Sequence, residues 1–381
     1  MTSTIKSLKF NADGSRFVVG TSDGFLVYET DPYKYIFSKH YFEGGLSEVA
    51  IIGKSAAVLF VGTGLNTNYA KNNVFIWDDK REKSVFNIVC KNDIKSLTAR
   101  AQLIAVSTAN LVHPFQLAPG PRKLPIHEID VETADCVLLN NDEENPMMIY
   151  ASKQVGEIKI VRYKWSYPNQ SETNDEVEEK DAEIKNDEKV EKTVIASAGR
   201  NLYEASVQTI RAHANKLKRL AINKEGTLLA TSSVKGTLIR IYDIITGTQV
   251  QELRRGARAA SIMDICFSPE SDYIAVISNT GTVHVYSVNK SDKSLPKNKK
   301  SSFSYISSVL PSYFSSEWGF SSITLETEWI QAGLILCFGQ DNNSLVVIVR
   351  NGKYVRYIID PINKKIIKDK ERHWFNANTT F

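Results

Sequence analysis

Arg254 and Arg255 stand side by side in the decapeptide QELRRGARAA (251–260), with Gly256 directly after them and Arg258 two residues further on. This is a grouping for binding anions. A guanidinium presents a planar fork of donors that meets a phosphate or carboxylate two bonds at a time, and glycine lets the backbone turn or pack closely beside it. Successive side chains of an extended strand point to opposite sides, so Arg254 and Arg255 address two different places and serve two pockets. Arg258 adds a third cation within reach. Donors suited to a phosphate monoester recur on both sides. Upstream, TSSVKGTLIR sets Ser232, Ser233, Lys235, Gly236 and Thr237 in a tight turn with Arg240 close behind, and His213 lies in the preceding IRAHANKLKRL. Downstream, ISNTGTVHV repeats the pattern as Ser278, Asn279, Thr280, Thr282 and His284. Hydroxyls, turn N–H groups and a guanidinium are what a phosphate requires, and histidine joins them as a neutral or protonated donor. One set pairs with Arg254, the other with Arg255.

The elements that must hold these groups form a repeat. An apolar alternating strand, a Gly/Asp/Asn turn, a strand of small and β-branched residues, a second turn and a strand ending in an aromatic recur at roughly the 40-residue period of propeller blades. Seven copies are read at 7–30, 49–80, 94–117, 134–163, 217–247, 262–288 and 321–359. Seven copies closed in a ring leave no open array of sheet edges. Helical periodicity is nearly absent, so the expected class is all-β: one seven-bladed propeller over 1–381 with four-stranded antiparallel blades. Leu253–Gly256 is expected to be the first, edge-like strand of a sheet or the turn entering it. In copies three and four the turn chemistry is blurred.

Composition narrows the classes further. The 381 residues are 42% hydrophobic with net charge +4, but residues 171–192 alone carry −6, leaving +10 on the rest. That acidic run lies in an insertion (165–192) too polar to fold alone, expected to be a disordered surface loop. The basic remainder suits anionic membranes, nucleic acid or acidic proteins. Cys90, Cys136, Cys266 and Cys337 form no CxxC, so they are expected to be small buried hydrophobes in a reducing compartment. The start, MTSTIKSLKF, lacks the apolar core of a signal peptide, and no run approaches the roughly 20 apolar residues of a membrane span. A cytoplasmic protein with only peripheral membrane contact is expected.

Catalysis is not indicated. The six histidines show no HxH or HExxH spacing, so neither a metal nor any other cofactor is expected. GxSxG, Walker-type and GxGxxG loops are lacking too. Nucleic-acid binding would interleave aromatics with basic groups on one strand face, whereas here the aromatics gather in a single loop.

LRRG set between TSSVKGTLIRIYD and FSPESDYIAVISNTGTVHVYSV resembles the PROPPIN (WIPI-like) family of phosphoinositide-binding β-propellers, whose signature is Phe- or Leu-Arg-Arg-Gly. The resemblance is strongest over 211–288. It implies recognition of phosphatidylinositol 3-phosphate and 3,5-bisphosphate, where the residues alone specify only a phosphate-bearing headgroup. It maps the first pocket onto His213, Ser233, Gly236, Thr237, Arg240 and Arg254, with Lys235 in the same turn. The second falls on Arg255, Ser278, Thr280, Thr282 and His284; Arg258 stands where the family often has histidine. Leu253 replaces Phe at a position that packs inward.

The segment after copy six (289–319) then gains a purpose. Its basic half holds Lys290, Lys293, Lys297, Lys299 and Lys300. Its second half holds Phe303, Tyr305, Ile306, Val309, Leu310, Tyr313, Phe314 and Trp318, expected to dip into the bilayer interface. Each buried apolar side chain there contributes roughly 1.5–3 kcal/mol before ordering costs, and each nearby lysine about 1 kcal/mol on anionic lipid. The resemblance further implies a monomer that presents blades two and three to an autophagy partner, either a lipid-transfer protein or the coiled-coil scaffold of the conjugation machinery. It places the chain on phagophore assembly site, endosome and vacuole membranes. The rival is a protein-only WD-type scaffold whose LRRG region grips acidic or phosphorylated peptides.

Overall fold

The computed structural model describes residues 4–40, 44–66, 68–100, 102–117, 120–133, 135–166, 200–288, 294–300 and 316–375. The chain folds as a seven-bladed β-propeller of four-stranded antiparallel sheets. The blades span 5–40, 46–89, 96–128, 137–211, 217–254, 262–324 and 334–373. Within each blade the sequence records depth. The second strands, such as Tyr273–Ser278 and Ser344–Val349, are buried along their whole length and read as continuous β-branched or apolar runs, because neighbours cover both faces. The outermost strand of blade 7, Lys365–His373, is mostly exposed and densely charged.

The core lies between blades. Ile239, Ile241 and Leu253 of blade 5 pack on Ile262, Ile274, Val276 and Tyr286 of blade 6. Each blade comes from one contiguous stretch of chain, so the ring closes by packing rather than by strand exchange. At that closure Leu8, Phe17 and Tyr28 of blade 1 meet Val346, Tyr354 and Trp374. Trp374 stands edge-on to Phe17 with ring centroids 5.5 Å apart, and its carbonyl accepts the Tyr28 hydroxyl at 3.3 Å. Arg356 of blade 7 ties to Asp31 of blade 1 at 3.2 Å.

Several expectations shift in detail. Ser321–Thr324 is the outer strand of blade 6, not the start of copy seven, and a short helix, Thr327–Ala332, leads into blade 7. In blade 3 the outer position is shared by Arg122–Lys123 and His127–Glu128. Pro125 sits between those two-residue strands, and its missing N–H breaks a continuous ladder. Leu253 and Arg254 close the last strand of blade 5, Gln249–Arg254, rather than opening a sheet. That strand is covered in turn by Glu317–Trp318, which runs parallel to it. Trp165 and Ser166 belong to the blade 4 strand Glu157–Ser166, and the remainder of the acidic insertion lies outside the described residues. All four cysteines are free; Cys266 is half-buried and the other three are buried.

Candidate anion-binding site

Strand register decides where the two arginines go. In blade 5, Arg240 lies opposite Glu252 and Leu238 opposite Arg254, while Thr231 lies opposite Arg240. Arg240, Glu252 and Arg254 therefore share one face. Leu253 occupies the other, fully buried against blade 6. Arg255 follows on Leu253's side, leaving the ladder with its N–H on the Thr237 carbonyl at 3.0 Å. Both arginine residues are buried, 4% and 7% exposed, which is rare for this residue type and makes each interaction costly to lose.

On the first face, Arg240 donates from Nε to Glu252 at 3.0 Å and from a terminal nitrogen to the Ala212 carbonyl at 2.6 Å. His213 Nε2 lies 2.9 Å from the Thr231 hydroxyl. Burial, followed by the nearby Arg240 charge, pulls the imidazole down to about 4, so the ring is neutral at pH 7. The turn holding Ser233 and Thr237, both buried, depends on Gly236. Its φ is +60°, and an added Cβ would stand 1.8 Å from the Ala260 carbonyl oxygen. The Ser232 hydroxyl, one residue before Ser233, is buried without a partner. Lys235 is exposed at the tip. Arg254 Nε donates to Ser316 Oγ at 2.7 Å.

On the second face, Arg255 donates from Nε to the Gly236 carbonyl at 3.0 Å and from a terminal nitrogen to the Arg258 carbonyl. Burial lowers its guanidinium below the usual arginine range. His284 is brought down to about 4 by burial, with the Arg255 and Lys299 charges adding. Ser278 and Thr280 share a hydroxyl–hydroxyl hydrogen bond of 2.8 Å. Thr282 and His284 lie on the adjacent strand, Thr282–Ser287. Arg258 is exposed and contributes its carbonyl to this arrangement.

Further positioning groups are marked by no motif. Tyr286, fully buried in blade 6, donates its hydroxyl to the Arg254 carbonyl at 3.0 Å. Glu252 orients Arg240. Asn298 and Gln251 both donate to Glu317, at 2.9 and 2.7 Å, and so fasten the strand that covers Arg254. Trp318 is half-buried in that covering strand, its backbone paired with Lys299. Phe303, Tyr305, Ile306, Val309, Leu310, Tyr313 and Phe314, like Lys290 and Lys293, lie outside the described residues. Among the described residues no group of three His, Cys, Asp or Glu side chains could hold a metal ion. No helix there is long and apolar enough to cross a membrane.

Fold and site together define a class: a β-propeller whose rim, at the junction of blades 5 and 6, carries buried cations amid hydroxyl and imidazole groups. Residues 191–315 match the family model described as PROPPIN. Two curated relatives align over nearly the whole chain. SVP1-like protein 2 of Pichia angusta is 28% identical over 92% of this chain and 89% of its own length. Autophagy-related protein 18e of Arabidopsis thaliana is 27% identical over 99% and 89%. Among solved structures, Kluyveromyces lactis Hsv2 superposes with a TM-score of 0.71 at 21% identity, covering 97% of this chain and 99% of that one. A chain from the complex of KlAtg21 with the coiled-coil of AgAtg16 gives 0.67 at 17%, covering 98% and 100%. The chain is thus similar to a PROPPIN over 191–315 and to SVP1-like and autophagy-related proteins over most of its length, and it shares the propeller fold of the solved structures.

Proposed function

We propose that this protein is a peripheral membrane effector that binds phosphatidylinositol 3-phosphate and phosphatidylinositol 3,5-bisphosphate in two pockets flanking LRRG, and recruits autophagy machinery to the membranes that carry them. The observation that carries this reading is the divergence of Arg254 and Arg255 at the end of one strand: Arg254 shares its face with Arg240, whose charge acts on His213, while Arg255 acts on His284. Site 1 comprises His213, Ser233, Lys235, Gly236, Thr237, Arg240 and Arg254. Site 2 comprises Arg255, Arg258, Ser278, Thr280, Thr282 and His284. Two weak headgroup sites and the apolar segment of 303–318 act on one bilayer as a multivalent unit, gaining from effective concentration rather than from one tight pocket. The membranes proposed are those of the phagophore assembly site, endosome and vacuole. The partner is a coiled-coil scaffold, in keeping with the KlAtg21–AgAtg16 complex, or a lipid-transfer protein, docking on blades 2 and 3.

Liposome co-sedimentation at physiological salt tests this. Wild type should sediment with vesicles carrying either 3-phosphorylated lipid and not with phosphatidylserine alone, and Arg254→Thr/Arg255→Thr should stay in solution. Equal sedimentation with every anionic vesicle contradicts the reading, and peptide binding retained without lipid binding returns the role to a protein-only scaffold.

A further inference from the structure

The turns joining first to second strands lie at the face opposite the headgroup turns, and those of blades 1 to 4 converge. A cavity of about 140 Å³ opens there, lined by Ala12, Gly53, Arg100, Gln102, Leu103 and the 140–146 turn. Arg100 is its unusual member. Its Nε and one terminal nitrogen donate to the Leu139 and Ala99 carbonyls, both at 3.0 Å, fixing the guanidinium in the wall. Among the described residues no carboxylate lies within ion-pair distance of it. Asp13 is spent on Ser15 N and Oγ at 3.0 and 2.6 Å, and Asp142 on the N–H groups of Glu144 and Asn145, both at 3.0 Å. Burial pulls Arg100 down to about 10, with Asp13 opposing at a distance. Gln102, lining the same cavity, has a buried amide oxygen without a partner.

Arg100 is half-buried; a partly desolvated charge that no opposite charge neutralises carries a cost, and a buried acceptor without a donor adds to it. We propose that this cavity is a binding site for a small oxyanion of the hydrogen-phosphate class, its charge on Arg100 and its protonated oxygen on Gln102. A second, donor-bearing oxygen fits a wall that offers one cation and one bare acceptor. The volume admits only a small ion, which must sit against Arg100 and away from Asp142 and the exposed Glu143 that also line the cavity. The site is independent of the rim pockets, since Arg254 and Arg255 lie at the other ends of the strands.

The full-length Arg254→Thr/Arg255→Thr protein, with the rim disabled, isolates this site. Inorganic phosphate should raise its Tm saturably in thermal unfolding. Adding Arg100→Met should abolish the rise. Adding Gln102→Glu instead builds a carboxylate into the cavity, and should raise Tm in phosphate-free buffer while removing the response to phosphate. Soluble inositol 3-phosphate and vesicles of phosphatidylinositol 3-phosphate should bind no better than phosphate does, which separates a free ion from a lipid headgroup. No phosphate response in the rim-disabled protein, or an undiminished response with Arg100→Met, overturns the proposal. A Gln102→Glu protein that is less stable and still responds to phosphate overturns it as well, and decides the matter if Arg100→Met does not fold.

Discussion

Tyr286 reaches across the seam between blades 5 and 6 and donates its hydroxyl to the carbonyl of Arg254 at 3.0 Å. That carbonyl belongs to the peptide between the two arginines, so one side chain of blade 6 sets the orientation of both. Tyr286→Phe keeps the packing and removes the bond. It should cost about 1 kcal/mol of stability and weaken headgroup binding at both sites together, read by calorimetry with a soluble short-chain lipid. A loss confined to one site would show that the peptide is held by other means.

Gly236 is the only residue its position admits, since φ is +60° and the Ala260 carbonyl occupies the space a Cβ would take. Gly236→Ala should lower stability by about 1–3 kcal/mol and weaken both sites, because Arg255 Nε is bound to the Gly236 carbonyl and the same turn carries Ser233 and Thr237. Chemical denaturation and lipid titration on one sample check both effects.

What the sequence makes legible follows from the physics of each part. The blades could be read because strands buried on both faces leave apolar runs between Gly, Asn and Asp turns. Blade 3 blurred because Pro114, Pro121 and Pro125 interrupt its outer half. The divergence of Arg254 and Arg255 follows strand alternation, although Arg254 ends the fourth strand of blade 5 and Arg255 lies just past it. Tyr286, Glu252 and Ser316 could not be read. Each acts through a contact across strands or blades, and local spacing does not encode such pairings.

The two site histidines make binding and stability depend on pH in opposite senses. Both sit near 4 in the fold, below the ordinary 6.5. A histidine lowered in this way contributes its full stability above about pH 6.5 and loses it as the pH falls toward 4. The Tm should therefore drop over that window. A bound phosphate favours the charged ring, so headgroup binding should take up protons and tighten as the pH falls. Titrations of His213→Asn/His284→Asn carry only the headgroup's own ionisation, and should show a flatter profile. Equal pH profiles for the two proteins would remove the histidines from the sites.

Ring closure rests on the last described strand and the residue after it. Trp374 donates from Nε1 to the Lys353 carbonyl at 2.9 Å and packs against Phe17 and Tyr28. Trp374→Ala should cost about 3–5 kcal/mol, while a chain that still folds keeps its lipid sites, which lie on blades 5 and 6. An unchanged denaturation midpoint would place the closure elsewhere.

Arg254 and Arg255, adjacent at the end of one strand, are proposed to serve two separate headgroup sites. Isothermal titration with soluble short-chain phosphatidylinositol 3-phosphate tests it most directly through stoichiometry. The account predicts two sites in the wild type, one in Arg254→Thr, one in Arg255→Thr and none in the double variant. A single site in the wild type that either substitution abolishes would contradict it.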